Sequence, residues 1–296
     1  MKILIAGGTG FVGRELCRAL GAAGHELVVV SRREGRPPEG AARRLAWGGA
    51  WPRELEGAGA VVNLAGAGVA DRRWSAARKA AIRESRLQAT RRLVEALARA
   101  RAKPEVLVNA SAVGCYGDRG EELLTEASAP GEGFLARVCL DWEAEAARAR
   151  EAGVRVVLAR LGVVLGPGGG ALARMLLPFK LGLGGPLGSG RQFMSWIHIA
   201  DAAGLLAFAA RRRTLEGPLN AVAPGAVRNA EFVRELAAAL HRPCLLPAPA
   251  FALRLALGEL AGMLLGGQRV EPAKAAAHGY VFRFPALMEA LADVLR

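Results

Sequence analysis

Apolar positions along this chain fall into two rhythms, short aliphatic runs and longer stretches of helical spacing, and residues 1–33 show both in turn. Residues 1–6 form a β-branched and aliphatic run suited to a buried parallel strand. The run breaks at Gly7-Gly8-Thr9-Gly10-Phe11-Val12-Gly13 and resumes at helical spacing through Leu16, Cys17 and Leu20. A second apolar run, 27–30, ends at Ser31-Arg32-Arg33. Strand, glycine turn, helix and strand make one βαβ unit.

The same alternation continues. Residues 34–59, with Pro37-Pro38 and scattered glycine, read as loop with a short strand near 45–47. A buried strand at 60–64 ends in the small-residue turn Ala65-Gly66-Ala67-Gly68. Residues 74–101 predict a long charged helix whose buried stripe is Ile82, Leu87, Leu93, Val94 and Leu97. Strands at 105–111 and 154–161 flank a helix at 134–151, and a turn follows at 162–167. A short helix sits between Gly168-Gly169-Gly170 and the glycine-rich segment 182–190, after which a helix at 199–210 and a strand at 219–222 return to the sheet. Three helices are expected at 229–240, 250–265 and 285–295. Their stripes Phe232-Leu236-Leu240 and Leu253-Leu257-Leu260-Leu264 are too large to leave in water.

Alternating strands and helices imply an α/β fold, a doubly wound parallel sheet of Rossmann type, with a smaller, mainly helical C-terminal lobe. Residues 1–167 form the dinucleotide-binding domain, rejoined by 191–224. Residues 168–190 and 225–296 form a lid-like substrate lobe that does not fold alone.

The opening unit carries the chemistry. Gly7 allows a tight turn, Gly10 lets a pyrophosphate approach the backbone, and Gly13 lets the helix lie close to the sheet. The helix N-terminus across Thr9, Phe11 and Val12 then offers free N–H groups to phosphate. A dinucleotide site follows. An NAD site usually places Asp or Glu after the second strand. Here Ser31, Arg32 and Arg33 stand there, and guanidinium holds a 2′-phosphate that a carboxylate would repel, so the expected cofactor is NADP(H). The turn Leu64-Ala65-Gly66, after a parallel strand, falls on the cofactor edge of such a sheet.

The chain has 296 residues, 52% apolar, and a net charge of +13. The charge is almost all arginine and spread along the chain without a nucleic-acid motif, which argues against nucleic acid as a partner. The four cysteines are far apart with no metal-like spacing. They fit a reducing, cytoplasmic compartment, with Cys17 in the core. Residues 1–6 run straight into the glycine loop, as expected of a chain without a signal peptide. The apolar stretch 251–265 is interrupted by Arg254 and Glu259, and no membrane span is expected. Several apolar helices suit either core or an oligomer interface.

These motifs resemble those of the extended short-chain dehydrogenase/reductases, the group of sugar-nucleotide epimerases and dehydratases. The resemblance rests on Gly7 to Gly13, Asn63-Leu64-Ala65-Gly66, Tyr116-Gly117-Asp118, Arg160 through Gly166-Pro167, and Trp196 through Asp201. More narrowly, the chain looks like an atypical branch, the epimerase-family proteins, through Ala70-Asp71-Arg72-Arg73-Trp74, residues 111–120 and 178–185, and Leu265 through Val270. The resemblance implies cofactor contacts at Arg86, Leu161 and Gly162 as well as at the glycine loop.

The departure lies in the catalytic apparatus. The large family uses Tyr-x-x-x-Lys on the helix before the sixth strand, and aligned through Glu143 these slots hold Leu135 and Cys139. The usual Ser/Thr slot holds Ala112, with Ser111 adjacent, and the Asn slot of the preceding helix holds Arg86. Tyr116, just past a strand's C-terminal end and expected to face the crevice, either donates a proton or packs against nicotinamide. Ser111 is the second candidate, as a hydrogen-bond partner of substrate or nicotinamide. Cys139 is either a thiolate nucleophile or, lacking a nearby basic partner, inert filler, the preferred reading; His198 reads as structural, while Asp118 and Arg119 either touch substrate or pair in a turn. The expected protein is therefore an NADP(H)-binding oxidoreductase or epimerase acting on a small carbonyl or alcohol without the Tyr–Lys pair. The rival is a catalytically silent NADP(H) sensor that signals to a protein partner.

Overall fold

The computed structural model describes residues 1–244 and 246–296. In chain order its first half comprises β1 (Lys2–Ala6), α1 (Phe11–Ala22), β2 (Glu26–Ser31), β3 (Arg43–Ala46), β4 (Ala60–Asn63), α2 (Ala76–Arg99), β5 (Val106–Ala112), β6 (Leu123–Leu124), α3 (Phe134–Ala147) and β7 (Arg155–Leu161). The second half comprises β8 (Val163–Leu165), α4 (Gly170–Lys180), β9 (Phe193–Met194), β10 (Trp196–His198), α5 (Ile199–Arg211), β11 (Gly217–Ala221), β12 (Val227–Arg228), α6 (Asn229–Ala239), α7 (Ala250–Leu257), α8 (Ala261–Leu265), β13 (Arg269–Val270), α9 (Ala273–Ala277) and α10 (Leu287–Val294).

Seven strands form one parallel sheet in the order β11-β7-β5-β4-β1-β2-β3. Successive strand side chains point to opposite faces, so each apolar run feeds two cores. Ile3, Ile5, Val29, Val62 and Val108 face α1 and α5 through Leu16, Cys17 and Leu206. Leu4, Ala6, Val61 and Leu107 face the other side, where Leu93, Val94 and Leu97 of α2 meet Ala146 of α3. The expected α2 stripe is buried throughout. Chain order reverses between β1 and β4, which places the crevice of a doubly wound sheet above their C-terminal ends.

A third core lies beyond the sheet, where Leu172 and Phe179 of α4, Trp196 of β10, Phe232 and Leu236 of α6, and Leu291 of α10 pack together. The turn expected at 162–167 contains β8, which pairs in parallel with β10. The helix expected over 250–265 is broken at Gly258, whose φ of +62° ends α7 before α8 begins at Ala261. The stripe expected to be buried there is also corrected. Only Leu260 of its four leucines is buried, and α7 buries no residue, with Phe251 74% and Leu255 80% exposed. The C-terminal segment is strapped to α5 by Asp201, whose carboxylate accepts from the backbone N–H of Arg283 and Phe284, each at 2.8 Å. His198, expected to be structural, accepts from the N–H of Ala200 through Nδ1 at 3.1 Å and so caps α5.

Candidate functional site

Two loops meet above the crevice. Gly7 has φ +81°, and a Cβ there would lie 2.7 Å from the carbonyl carbon of Leu64 and 2.9 Å from the nitrogen of Ala65. Gly13 is equally forced, because a Cβ would stand 2.4 Å from the Gly7 carbonyl oxygen. Gly10 differs. It caps α1 without a side-chain bond, and a Cβ there would meet only the Gly7 oxygen, at 3.2 Å. Close protein packing explains Gly7 and Gly13. It does not explain Gly10, whose missing side chain leaves open space in front of the α1 N-terminus, where a pyrophosphate fits. Thr9 lies on the same turn, with its carbonyl accepting from Arg14 Nη1. Phe11 turns away from that space, its ring filling room that Gly166, Gly169 and Gly170 leave bare. The glycine triplet at 168–170 thus includes two seats for Phe11.

At the end of β2, Ser31 is buried and its hydroxyl donates to the Arg33 carbonyl at 2.6 Å. Arg32 and Arg33 are exposed, and among the described residues neither side chain has a hydrogen-bond or ion-pair partner. Arg44 of β3, absent from the motif-based reading, donates through Nε to Ser31 Oγ at 2.9 Å.

The floor beneath Ala65 and Gly66 is a buried polar network. Asn63 Oδ1 accepts from the Ala65 N–H at 3.1 Å, while its Nδ2 donates to Thr90 Oγ1 and Asn109 Oδ1. Trp142 Nε1 donates to the same Thr90 hydroxyl at 2.8 Å. Arg86 reaches over this floor from α2. Its Nη1 donates to the carbonyls of Ala67 and Ile82, both at 2.9 Å, and its guanidinium lies 5.0 Å from the Trp142 ring. Burial lowers its pKa, and no carboxylate of a described residue pairs with it. Among the described residues its charge is met by two carbonyl dipoles and an aromatic ring alone, which leaves it able to attract an anion.

The two residues expected to do proton work are committed elsewhere. Tyr116 does not face the crevice: its side chain is 0% exposed in a small core with Cys115, Leu124, Cys139 and Val222. Its hydroxyl donates to Asn220 Oδ1 at 2.7 Å and accepts from Arg160 Nη1 at 2.9 Å, and burial pushes its pKa up to about 12. A phenol so sealed is a poor acid and has no path to a substrate. Ser111 is also buried, its hydroxyl donating to Glu143 Oε1 at 2.6 Å. Glu143 and Arg160 form a bidentate buried pair, at 2.9 and 2.8 Å. Burial works against the Arg160 charge, but the hydrogen bonds and charge of Glu143 outweigh it and raise its pKa. The chain Ser111–Glu143–Arg160–Tyr116–Asn220 ends at the Glu271 carbonyl, tying β5, α3, β7 and β11 to the C-terminal segment. Tyr116→Phe should therefore cost stability, about 1–3 kcal/mol for stranding buried partners, and leave cofactor affinity intact. Denaturant melts and calorimetric titration of the same sample check both halves.

Cys139 is buried with its thiol pKa pushed up to about 11 by burial, so its inert reading fits its surroundings. Leu161 ends β7. Gly162 follows it where a Cβ would strike the Ser195 carbonyl oxygen at 2.5 Å. Asp118 accepts from the Gly267 N–H at 3.2 Å, and Arg119 pairs with Glu122 at 2.6 Å, so the two serve separate structural contacts. Among the described residues no helix is long and apolar enough to cross a membrane.

The sequence profile of the NAD dependent epimerase/dehydratase family matches residues 3–221, and that of a domain of unknown function, DUF1731, matches residues 248–294. The chain is 43% identical to the epimerase family protein SDR39U1 of Bos taurus, over all of both chains. It is also 43% identical to the epimerase family protein Mb2239 of Mycobacterium bovis, over 98% of this chain and 96% of that one. Among solved structures, the human epimerase family protein SDR39U1 (isoform 2), crystallised with NADPH, superposes with a TM-score of 0.92 at 40% identity, covering 99% of each chain.

Proposed function

The chain belongs to the NAD dependent epimerase/dehydratase family, and on that premise we propose that it is an NADP(H)-binding oxidoreductase or epimerase-like protein acting on a small carbonyl or alcohol. The observation that carries the reading is the open face of Gly10 at the α1 N-terminus, on the sheet whose next strand ends at two arginines that pair with no described residue. The human SDR39U1 structure with NADPH supports the choice of cofactor.

Gly7 to Gly13 would hold the pyrophosphate, with N–H groups of Thr9, Phe11 and Val12 directed at it. Ser31, Arg32 and Arg33 would take the 2′-phosphate, and Leu64, Ala65 and Gly66 would pass under the adenosine half. Arg86 supplies positive charge on the side of the crevice where the family's lysine is replaced by Cys139. Leu161 and Gly162 would border the nicotinamide end. When bound, the cofactor supplies or accepts a hydride at nicotinamide C4. The helical lobe of 168–190 and 225–296 would close the substrate side and exclude water.

One observation favours the rival, an NADP(H) sensor that signals to a protein partner. The phenol of Tyr116 and the hydroxyl of Ser111 are both locked in a buried network, so no residue named for proton transfer reaches the crevice. NADPH oxidation followed across a panel of carbonyl compounds separates the two: turnover supports the enzyme, and a redox-dependent partner without turnover supports the sensor. Under either reading, calorimetry should give tighter binding of NADPH than NADH. Arg32→Ala should weaken NADPH tens-fold or more, since a half-broken phosphate–arginine pair costs on the order of 2–5 kcal/mol, while NADH affinity stays unchanged. Equal affinities in the unmutated protein would remove the NADP(H) assignment.

A further inference from the structure

We propose that Arg44, on β3, is a second arm of the 2′-phosphate site and sets the preference for a phosphorylated adenosine ribose. The inference rests on the NADP(H) reading above and deepens it.

Strand alternation is the starting point. Arg43 and Arg44 are neighbours on β3 and therefore point to opposite faces. Arg43 is fully engaged, reaching Glu54 at 2.7 and 2.8 Å and Glu26 at 3.5 Å. Arg44 meets no carboxylate among the described residues. Its Nε donates to Ser31 Oγ at 2.9 Å and its Nη1 to the Arg36 carbonyl at 3.3 Å, which leaves Nη2 uncommitted. The bend from Ser31 to Arg36 is folded around this guanidinium. Ser31 Oγ, held by Arg44, donates onward to the Arg33 carbonyl at 2.6 Å. Gly35 has φ +146°, and its Cβ position lies only 3.4 Å from Arg44 Nη1, so the bend passes directly over the charge.

The charged residues of the bend itself are Arg32, Arg33, Glu34 and Arg36, three cations and one acid. Glu34 makes no hydrogen bond or ion pair among the described residues, and its Oε1 lies 3.6 Å from the Cβ position of Gly49. A bend that carries three arginines, and whose backbone wraps a half-buried guanidinium that no described carboxylate pairs, is suited to a doubly charged anion. At the end of β2 in this fold, that anion is a phosphomonoester on the adenosine ribose. Arg44 contributes twice. Its charge attracts the phosphate directly, and its bonds to Ser31 and Arg36 shape the bend that presents Arg32 and Arg33.

The test uses the full chain and calorimetric titration with NADPH, NADH, 2′,5′-ADP and 5′-AMP, for the unmutated protein, Arg44→Gln and Arg44→Lys. Arg44→Gln should weaken NADPH and 2′,5′-ADP about tenfold or more, with NADH and 5′-AMP within about twofold. Arg44→Lys keeps the charge and should recover most of the loss. Equal weakening of NADPH and NADH by Arg44→Gln would overturn the specificity role and leave Arg44 only a loop support. Unchanged affinities for all four ligands in both variants would remove Arg44 from the site while leaving the NADP(H) reading in place. An unmutated protein that does not prefer 2′,5′-ADP over 5′-AMP would overturn both.

Discussion

Glu143→Ala is expected to lower the unfolding free energy by about 3–5 kcal/mol, a large fraction of the about 5–15 kcal/mol available to a typical domain. The carboxylate is buried and answers three donors, Ser111 Oγ at 2.6 Å and the Arg160 guanidinium at 2.9 and 2.8 Å. Removing it leaves the Arg160 charge buried with, among the described residues, only the Tyr116 hydroxyl as a polar partner. The ion pair itself need not be a net gain over an apolar pair. The penalty arises from stranding one half of it. Because the network runs on to Asn220 and the Glu271 carbonyl, the loss should also loosen the C-terminal segment. Urea denaturation of both proteins measures the difference, and hydrogen exchange at residues 268–274 locates it. A change below about 1 kcal/mol would mean that another group or solvent takes over the carboxylate's role.

Gly10→Val should cut NADPH affinity about 100-fold or more, on the order of 2.7 kcal/mol, with little change in melting temperature of the free protein. Gly10 has an ordinary extended backbone, φ −77° and ψ 177°, and a Cβ would press only on the Gly7 oxygen at 3.2 Å. A Cβ there needs only a small shift of the Gly7 carbonyl, whereas the branched side chain beyond it would fill the space in front of the helix N-terminus where the pyrophosphate belongs. Gly13→Ala provides the contrast. Its Cβ would stand 2.4 Å from the Gly7 oxygen and 2.7 Å from the Gly8 Cα, so the free protein should melt lower. Calorimetry and thermal melts on both variants separate the two effects. Full NADPH affinity in Gly10→Val would remove the pyrophosphate from this turn.

Local pattern sufficed for much of the architecture. The alternation of Ile3 and Ile5 with Leu4 and Ala6, and the helical stripe from Ile82 to Leu97, state which faces must be buried. That is enough to stack helices on both sides of a parallel sheet. The glycine loop was equally legible, because a tight turn between strand and helix constrains residues within a few positions of one another. The same holds for Ser31, Arg32 and Arg33, whose charge type is evident wherever the strand ends.

Tertiary structure alone decided the fate of the candidate acid and of two arginines. Tyr116 looked exposed because it follows a strand, but Arg160, 44 residues on, and Asn220, 104 residues on, close over its hydroxyl. Arg43 and Arg44 are indistinguishable in composition. Only the packing of β3 beside β2 gives one of them two carboxylates and the other the inside of a bend. Helix α7 has the apolar content of a core helix and yet buries no residue. In each case periodicity states how a side chain leaves its own element, whereas burial, pairing and pKa depend on which distant segment the sheet order and crossovers bring against it.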